Sequence, residues 1–407
     1  MKAGDVIALT IEKPAAGGPM IARHDGRVVL VSGAIPGERV RGRIVRVAKG
    51  VAHAETVAVD EPSADRRAAG DPLCGGCVYR HITYPRQLEI KSQVIADAFT
   101  RIGRIELPSA VAVALSPEEG YRMRARLHVR GARAGFFREG THDLCDARVT
   151  GHLLPSTLDT LDRLMAAIRS TGTDRVTGME LSENLDANER VVSLETSEPL
   201  DPRLVDRLLA IDGLTPGPYV TDAITIGDAS MRLRRHVRAF FQGNRYLLRD
   251  LVAHVAGLLP AGGTVLDLYA GVGLFSVAAA VIRGATTVAV EGDAAGFEDL
   301  RVNAAAAGGK LTTMHAAVEA VAAAAADAVI VDPPRTGMSP EALQKVIALR
   351  PSRLIYVSCD VATLARDARK IVDAGYTIDR ADAFDMFPNT PHVETVILFS
   401  KSEDAKI

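Results

Sequence analysis

Three short stretches of this chain carry residue types suited to catalysis. In RLIYVSCDVATLARD (353–367) an apolar, β-branched run ends in Ser358, Cys359 and Asp360 and then turns helical. That puts a cysteine at the carboxyl end of a strand, where open α/β folds hold their ligands. Beside a helix N-terminus its pKa is expected to fall below the free-thiol value of about 8.5, favouring the nucleophilic thiolate. In MFPNTPHVETV (386–396) His392 and Glu394 precede another apolar strand. A carboxylate in a dry pocket has a raised pKa and can act as a base, with His392 placed to orient it or to contact a substrate. In VLDLYAGVGLFS (265–276) strand, glycine turn and helix follow one another, with Asp267 ahead of Gly271 and Gly273. Glu291 ends the next strand about twenty residues later, where a carboxylate can hold ribose hydroxyls. A dinucleotide site would want a third glycine near position 276, and Ser276 stands there. The shorter turn suits a nucleoside cofactor. Asp332, in DPPR (332–335), ends a strand in the same crevice, although Pro-Pro by itself explains a turn.

These residues need a scaffold. From 236 to 407 the pattern is βαβ alternation, with GTVLDLYAG, TTVAVEG, DAVIVDPP and RLIYVSCD as strands and TVILFS as a closing strand. That reads as a doubly wound α/β domain. Residues 1–61 are short alternating segments broken by Gly and Pro, which fits a five-stranded β-barrel of the oligonucleotide-binding type. EPSADRRAAGDP (61–72) is a charged linker. Residues 62–235 mix helices with strands, an α+β region of unspecified topology. The fold class is therefore multidomain α/β.

Charged residues are 24% and hydrophobic residues 47% of 407, ordinary for a globular protein with several cores. No run is long and apolar enough for a membrane span or signal peptide, so a cytoplasmic location is expected, with a monomer as the default. Net charge is −2, so no global field attracts nucleic acid. Locally, however, Arg122, Arg124, Arg126, His128 and Arg130 alternate with apolar residues, and Arg232, Arg234, His236 and Arg238 repeat the device. In a strand such residues share one face. Two stripes with few carboxylates suit phosphate contacts better than plain solvation.

The D-x-x-x-G-x-G pattern of Asp267, Gly271 and Gly273, with Glu291 beyond it, resembles the S-adenosylmethionine site of class I methyltransferases. A thiolate beside a methyl donor points to covalent catalysis on an unreactive acceptor. Carbon-5 of a pyrimidine is one: thiolate addition at carbon-6 makes carbon-5 nucleophilic, and a base must then remove the carbon-5 proton. FFQGN (240–244), DLYAGVG (267–273), DPPR (332–335), SCD with TLARD (358–360, 363–367) and FPNTPHVE (387–394) together resemble the RNA uridine-C5 methyltransferases, which make 5-methyluridine in transfer or ribosomal RNA. GAIPGERV (33–40) resembles the signature of the TRAM domain, an RNA-binding barrel. The resemblance implies Cys359 as nucleophile and Glu394 as proton acceptor. It implies that Gln242, Tyr269, Gly271, Gly273, Glu291 and Asp332 hold S-adenosylmethionine. Phe240, Asp332 and His392 would meet the base, with Arg122, Arg124 and Arg126 on the surrounding RNA. The target nucleotide would be flipped into the crevice. Two other readings compete. A nucleic-acid amino-methyltransferase would want an aromatic where Arg335 follows DPP, and needs no thiol. An RNA-binding or folding protein with a vestigial domain would not retain nucleophile, base and cofactor residues together.

Four cysteines are too few for a disulfide framework, so each thiol is expected to need its own explanation in a reducing compartment. Many members of the family hold an iron–sulfur cluster on four cysteines. Cys74 and Cys77 match the middle pair, but Ala68 and Thr150 occupy the other two positions, and Cys145 lies five residues early, so that only a rearranged loop could make it a third ligand. The sequence therefore argues against an intact cluster, which wants four thiolates.

Overall fold

The computed structural model describes residues 1–401 apart from 49, 69, 70, 72, 323 and 324. Strands β1 (Val6–Pro14), β2 (Met20–His24), β3 (Arg27–Ser32), β4 (Arg39–Ala48) and β5 (Val51–Glu61) close into a barrel in the order β1-β2-β3-β5-β4. Along β4, Val40, Gly42 and Ile44 point inward while Arg39, Arg41 and Arg43 point outward, the period-two pattern of a strand with one wet face. Glu38, in the GAIPGERV turn, is fully buried. It accepts from the Ile35 amide (2.9 Å) and from both branches of Arg66 (2.6 and 2.7 Å), so the turn clasps the linker that leaves the barrel.

Helix α1 (Tyr84–Ala98) and the two-residue strand β6 (Val113–Ala114) follow. The sequence grouped both with the central region. In the structure β6 instead extends the C-terminal sheet by pairing with its edge strand, and Ile95 and Ala98 of α1 pack into that domain's core.

The central sheet is built from β7 (Arg124–Arg130), β8 (Arg133–Phe137), β9 (Leu144–Asp146), β10 (Val176–Glu183) and β11 (Arg190–Thr196) in the order β11-β10-β7-β8-β9. The short helix α2 (Ala147–Thr150) follows β9, and α3 (Pro155–Ser170) and α4 (Pro202–Leu209) cover the apolar side. A hairpin, β12 (Tyr219–Ile226) and β13 (Ala229–His236), leads into the last domain.

There α5 (Leu248–Leu258), β14 (Thr264–Leu268), α6 (Leu274–Ile282), β15 (Thr286–Glu291), α7 (Ala294–Ala305), β16 (Leu311–His315), β17 (Ala328–Val331), α8 (Pro340–Ala348), β18 (Arg353–Ser358), α9 (Val361–Asp373), β19 (Tyr376–Phe384) and β20 (Glu394–Lys401) follow, with β16 and β19 added to the five strands the sequence predicts. The sheet order is β16-β15-β14-β17-β18-β20-β19-β6. The chain steps outward from β14 to β16, then restarts on the other side at β17. That reversal opens a crevice between the carboxyl ends of β14 and β17, where doubly wound sheets bind ligands. Among the described residues no helix is long and apolar enough to cross a membrane.

A buried ionic network ties the central sheet to the segment entering the crevice. Glu183, at the end of β10, accepts from Thr157 (2.7 Å), from Arg190 Nε (2.7 Å) and from Arg245. All three charged side chains are nearly inaccessible. Leaving buried charges without their partner typically costs about 3–5 kcal/mol. Glu183→Ala is expected to lower the unfolding free energy by that order, seen as a lower urea midpoint. A midpoint matching the unaltered protein would show that the two arginines find other partners.

Candidate active site at the carboxyl ends of the strands

The crevice begins at β14. Asp267 is 1% exposed. Ser276 donates to one of its oxygens, while the other, Oδ1, has no partner. Burial pushes this carboxyl up to about 7. Beyond it the backbone turns left-handed at Tyr269 (φ 63°), Gly271 (55°) and Gly273 (95°). A Cβ at Gly271 would meet nothing within 4 Å, so glycine serves the φ angle there. At Gly273 a Cβ would lie 2.8 Å from Leu300, so both reasons apply. Glu291, ending β15, accepts from the Gly271 amide (2.7 Å) and the Asp293 amide (2.6 Å), which locks the carboxylate beside the turn. Across the crevice Gln242 donates to Asp332 Oδ2 at 3.4 Å. Asp332 is deeply set though partly open to the crevice. Burial, and then Asp267, push it up to about 7.

The thiol centre follows from strand register. β18 and β20 run antiparallel with Ser358 opposite Thr395. Cys359 is the next residue after β18 and Glu394 the first of β20, and the Glu394 charge bears on the thiol. Glu394 is 2% exposed, and its pKa is pushed well up by burial and then by Asp332, against Arg335. Cys359 is partly exposed and free. The expected low thiol pKa is not what the structure holds. Burial, followed by the charges of Glu394 and Asp332, pushes the thiol up to about 11, and the nearby Arg335 guanidinium only partly opposes them. The helix N-terminus that was expected to stabilise a thiolate is already occupied. Asp360 caps α9, accepting from the amides of Ala362 (3.1 Å) and Thr363 (2.8 Å).

His392 lies edge-on to Phe387, with ring centroids 6.1 Å apart, and its Nε2 is 3.4 Å from Arg335. Burial and Arg335 push its pKa down to about 4, so it is neutral at pH 7. Phe240 stands out from the surface, 66% exposed. Arg122 is drawn toward this face, its guanidinium 5.3 Å from the Phe136 ring and 5.9 Å from the Phe387 ring. Arg124 and Arg126 are not. They face Glu180 of β10 (3.5 Å) and Glu195 of β11 (2.8 Å). The carboxylates absent from the stripe's own sequence come from neighbouring strands, so two of its four arginines are paired within the sheet.

A family model described as tRNA (Uracil-5-)-methyltransferase matches residues 318–402, and the TRAM domain model matches residues 2–57. A 23S rRNA (uracil(1939)-C(5))-methyltransferase RlmD from Halomonas elongata is 33% identical over 441 residues, spanning 98% of this chain and 90% of that protein. The protein of the same name from Alkalilimnicola ehrlichii is 34% identical, spanning 94% of this chain and 93% of its own. This chain belongs to the RNA uracil-5-methyltransferase family. Its fold also matches the crystal structure of Pyrococcus abyssi tRNA (uracil-54, C5)-methyltransferase in complex with S-adenosyl-L-homocysteine, with TM-score 0.75, 26% identity, and coverage of 96% of this chain and 99% of that one.

In this uracil-5-methyltransferase the cysteine region departs from the four-thiolate pattern. Cys74 and Cys145 form a disulfide, and Cys77 packs beside them as a buried free thiol. Cys145, five residues early in sequence, is therefore brought to the motif after all. The expectation of separately explained, reduced thiols fails for this pair. Thr150 lies against the same loop, since a Cβ on Gly76 would sit 3.3 Å from its methyl. That position is in place but carries no sulfur, and Ala68 is exposed. The residues present do not fit a cluster, and among the described residues no group of three or more His, Cys, Asp or Glu is arranged to hold a metal.

Arg335 is the residue that sequence reasoning passed over. It was weighed only as the non-aromatic residue after DPP, yet it neighbours Cys359, Glu394 and His392. The thiolate is the reactive form. Alkylation of Cys359 by iodoacetamide, followed against pH by peptide mass spectrometry, is therefore expected to show an apparent pKa above the free value of about 8.5. Arg335→Ala removes the opposing cation and should move it higher. Glu394→Gln removes a repelling carboxylate and should move it lower. A profile unmoved by either variant would place these groups too far from the sulfur to matter.

Proposed function

We propose that the protein methylates carbon-5 of a uridine in large-subunit ribosomal RNA, with Cys359 as nucleophile and Glu394 as base. The observation that carries the residue roles is the β18–β20 register, which brings the buried Glu394 carboxyl to the end of the strand that Cys359 follows. The ribosomal target is supported by the two full-length relatives at 33% and 34% identity, both 23S rRNA enzymes by name.

The residues present fit S-adenosylmethionine. Glu291 beside the Gly271 turn suits a ribose diol. The unpartnered Asp267 oxygen and the Asp332–Gln242 pair supply polar positions along the crevice. Tyr269 offers an aromatic wall. When bound, the cofactor supplies an electrophilic methyl group on a sulfonium. The chain's own groups do the rest. Cys359 adds as thiolate to carbon-6 of the uracil, which turns carbon-5 into the nucleophile. After methylation Glu394 takes the carbon-5 proton, the carbon-5–carbon-6 double bond re-forms, and the Cys359–C6 bond breaks with sulfur leaving as the thiolate. A carboxyl with a raised pKa is matched to that proton transfer near neutrality. Neutral His392 can accept or donate a hydrogen bond at the uracil edge. A stacked base cannot reach this depth, so the nucleotide must be extruded. Exposed Phe240 and Arg122 supply stacking and cationic surface at the rim, and the barrel grips RNA around it. An RNA substrate supports a cytoplasmic enzyme, and we read it as a monomer.

Labelled methyl transfer to unmodified ribosomal and transfer RNA, offered separately, tests the target through nucleoside mass spectrometry. 5-Methyluridine is expected in the ribosomal pool; product confined to transfer RNA would overturn the assignment. RNA carrying 5-fluorouridine tests the chemistry, because fluorine cannot leave as a proton. The wild type should stall as an adduct, and Cys359→Ala should form none. Glu394→Gln should lose about 10²–10⁴-fold in turnover while accumulating a denaturation-resistant complex on ordinary RNA. Full activity of Cys359→Ala would return the amine-acceptor reading. Cofactor binding without adduct or product would favour a vestigial domain.

A further inference from the structure

The segment from Asp385 to His392 delivers His392 and runs directly into Glu394. It has no regular secondary structure, yet it is held at every carbonyl from 385 to 389. Asn244 Nδ2 donates to the carbonyls of Asp385 (3.4 Å) and Met386 (3.3 Å). Lys91 Nζ donates to that of Phe387 (3.2 Å), and the Tyr121 hydroxyl to that of Pro388 (3.3 Å). The Tyr79 amide donates to that of Asn389 (2.9 Å).

Asn389 is the centre of this arrangement. It is 3% exposed and left-handed, with φ 64°. A non-glycine residue keeps that conformation only where its surroundings over-determine it. Its amide donates to Gln87 Oε1 (2.9 Å). Its side-chain oxygen accepts from Gln87 Nε2 (3.0 Å) and from Arg67 (2.8 Å). Gln87 is itself fully buried, fixed by the carbonyls of Tyr79 (3.1 Å) and Ile82 (3.0 Å). Lys91 stands one helical turn along α1 from Gln87 and pairs with Asp385 at 2.5 Å. The partners on α1 and the preceding loop lie about three hundred positions away in sequence, so this is a purpose-placed tertiary contact and not a local turn.

Resting on the uridine-C5 reading, we propose that Asn389 and Gln87 are positioning residues for the proton-abstraction step. Their reciprocal hydrogen bonds set where His392 and Glu394 stand relative to the carbon-5 proton once Cys359 has added. The attacking thiol follows β18 and receives none of these hydrogen bonds, so the two halves of the reaction should respond differently to the clamp's loss.

Asn389→Gly tests this, because glycine keeps the left-handed backbone and both main-chain bonds while removing the side-chain amide. Turnover is expected to fall about 10²-fold, as for a misplaced catalytic group. The Michaelis constant for RNA, S-adenosylhomocysteine binding and adduct formation on 5-fluorouridine RNA should stay near wild type. On ordinary RNA the variant should accumulate the Cys359 adduct. Asn389→Asp keeps the acceptor facing Arg67 and Gln87, and should restore most of the turnover. Should Asn389→Gly fail to fold, Gln87→Ala removes the other half of the contact and should give the same split. Wild-type turnover in the folded variant overturns the proposal. So does a loss shared equally by cofactor binding and adduct formation, which would mark a merely structural role. A wild-type enzyme that yields neither 5-methyluridine nor adduct overturns the functional reading itself, and this proposal with it.

Discussion

β20 returns antiparallel between β18 and β19, and its register against β18 brings the Glu394 carboxyl to the end of the strand that Cys359 follows. Side chains in a strand alternate faces, so a slip of one residue would turn Glu394 out of the crevice and bring Val393 or Thr395 in. The register is secured by burial on both faces. Ile355, Val357, Val396 and Ile397 are all essentially inaccessible, and exposing even one fully buried aliphatic side chain costs about 1.5–3 kcal/mol. The geometry of the site is thus paid for by the ordinary packing of the sheet core.

That same burial sets the electrostatics. Asp267, Asp332 and Glu394 are all pushed up by desolvation, and each raises another or the thiol. Three carboxyls and a thiol cannot all be charged in such a space. With the thiol near 11, the resting protein at pH 7 holds Cys359 protonated, protected from adventitious alkylation and oxidation. Arg335 is the nearby fixed cation whose field opposes this.

The locally encoded parts of the site were legible from sequence. The glycine turn, Asp267, Glu291, Asp332, Cys359 and Glu394 each sit at a strand end that apolar runs announce, and α/β folds put ligands at such ends. What could not be read was pairing at a distance. Lys91 and Asp385 are 294 positions apart, and no local pattern marks either. The stripe beginning at Arg122 looked free of carboxylates because Glu180 and Glu195 reach it from other strands. β6 is two residues long, below what alternation can signal, so the segment after α1 was grouped with the wrong sheet. The thiol's pKa went the other way because a helix dipole was weighed without the desolvation that only tertiary structure supplies.

The cysteine loop shows how these levels join. Its disulfide closes 71 positions of chain, a constraint worth about 4 kcal/mol in loop-closure terms. Non-covalent contacts hold the same loop, from Arg138 to Asp71 and from Arg80 to the Val149 carbonyl. One covalent bond and paired charges fix this region. The loop's own backbone then supplies the Tyr79 amide to Asn389 and the Tyr79 and Ile82 carbonyls to Gln87. What the fold has to preserve at this position is a rigid backbone edge against the segment leading to Glu394, and several chemistries can supply that.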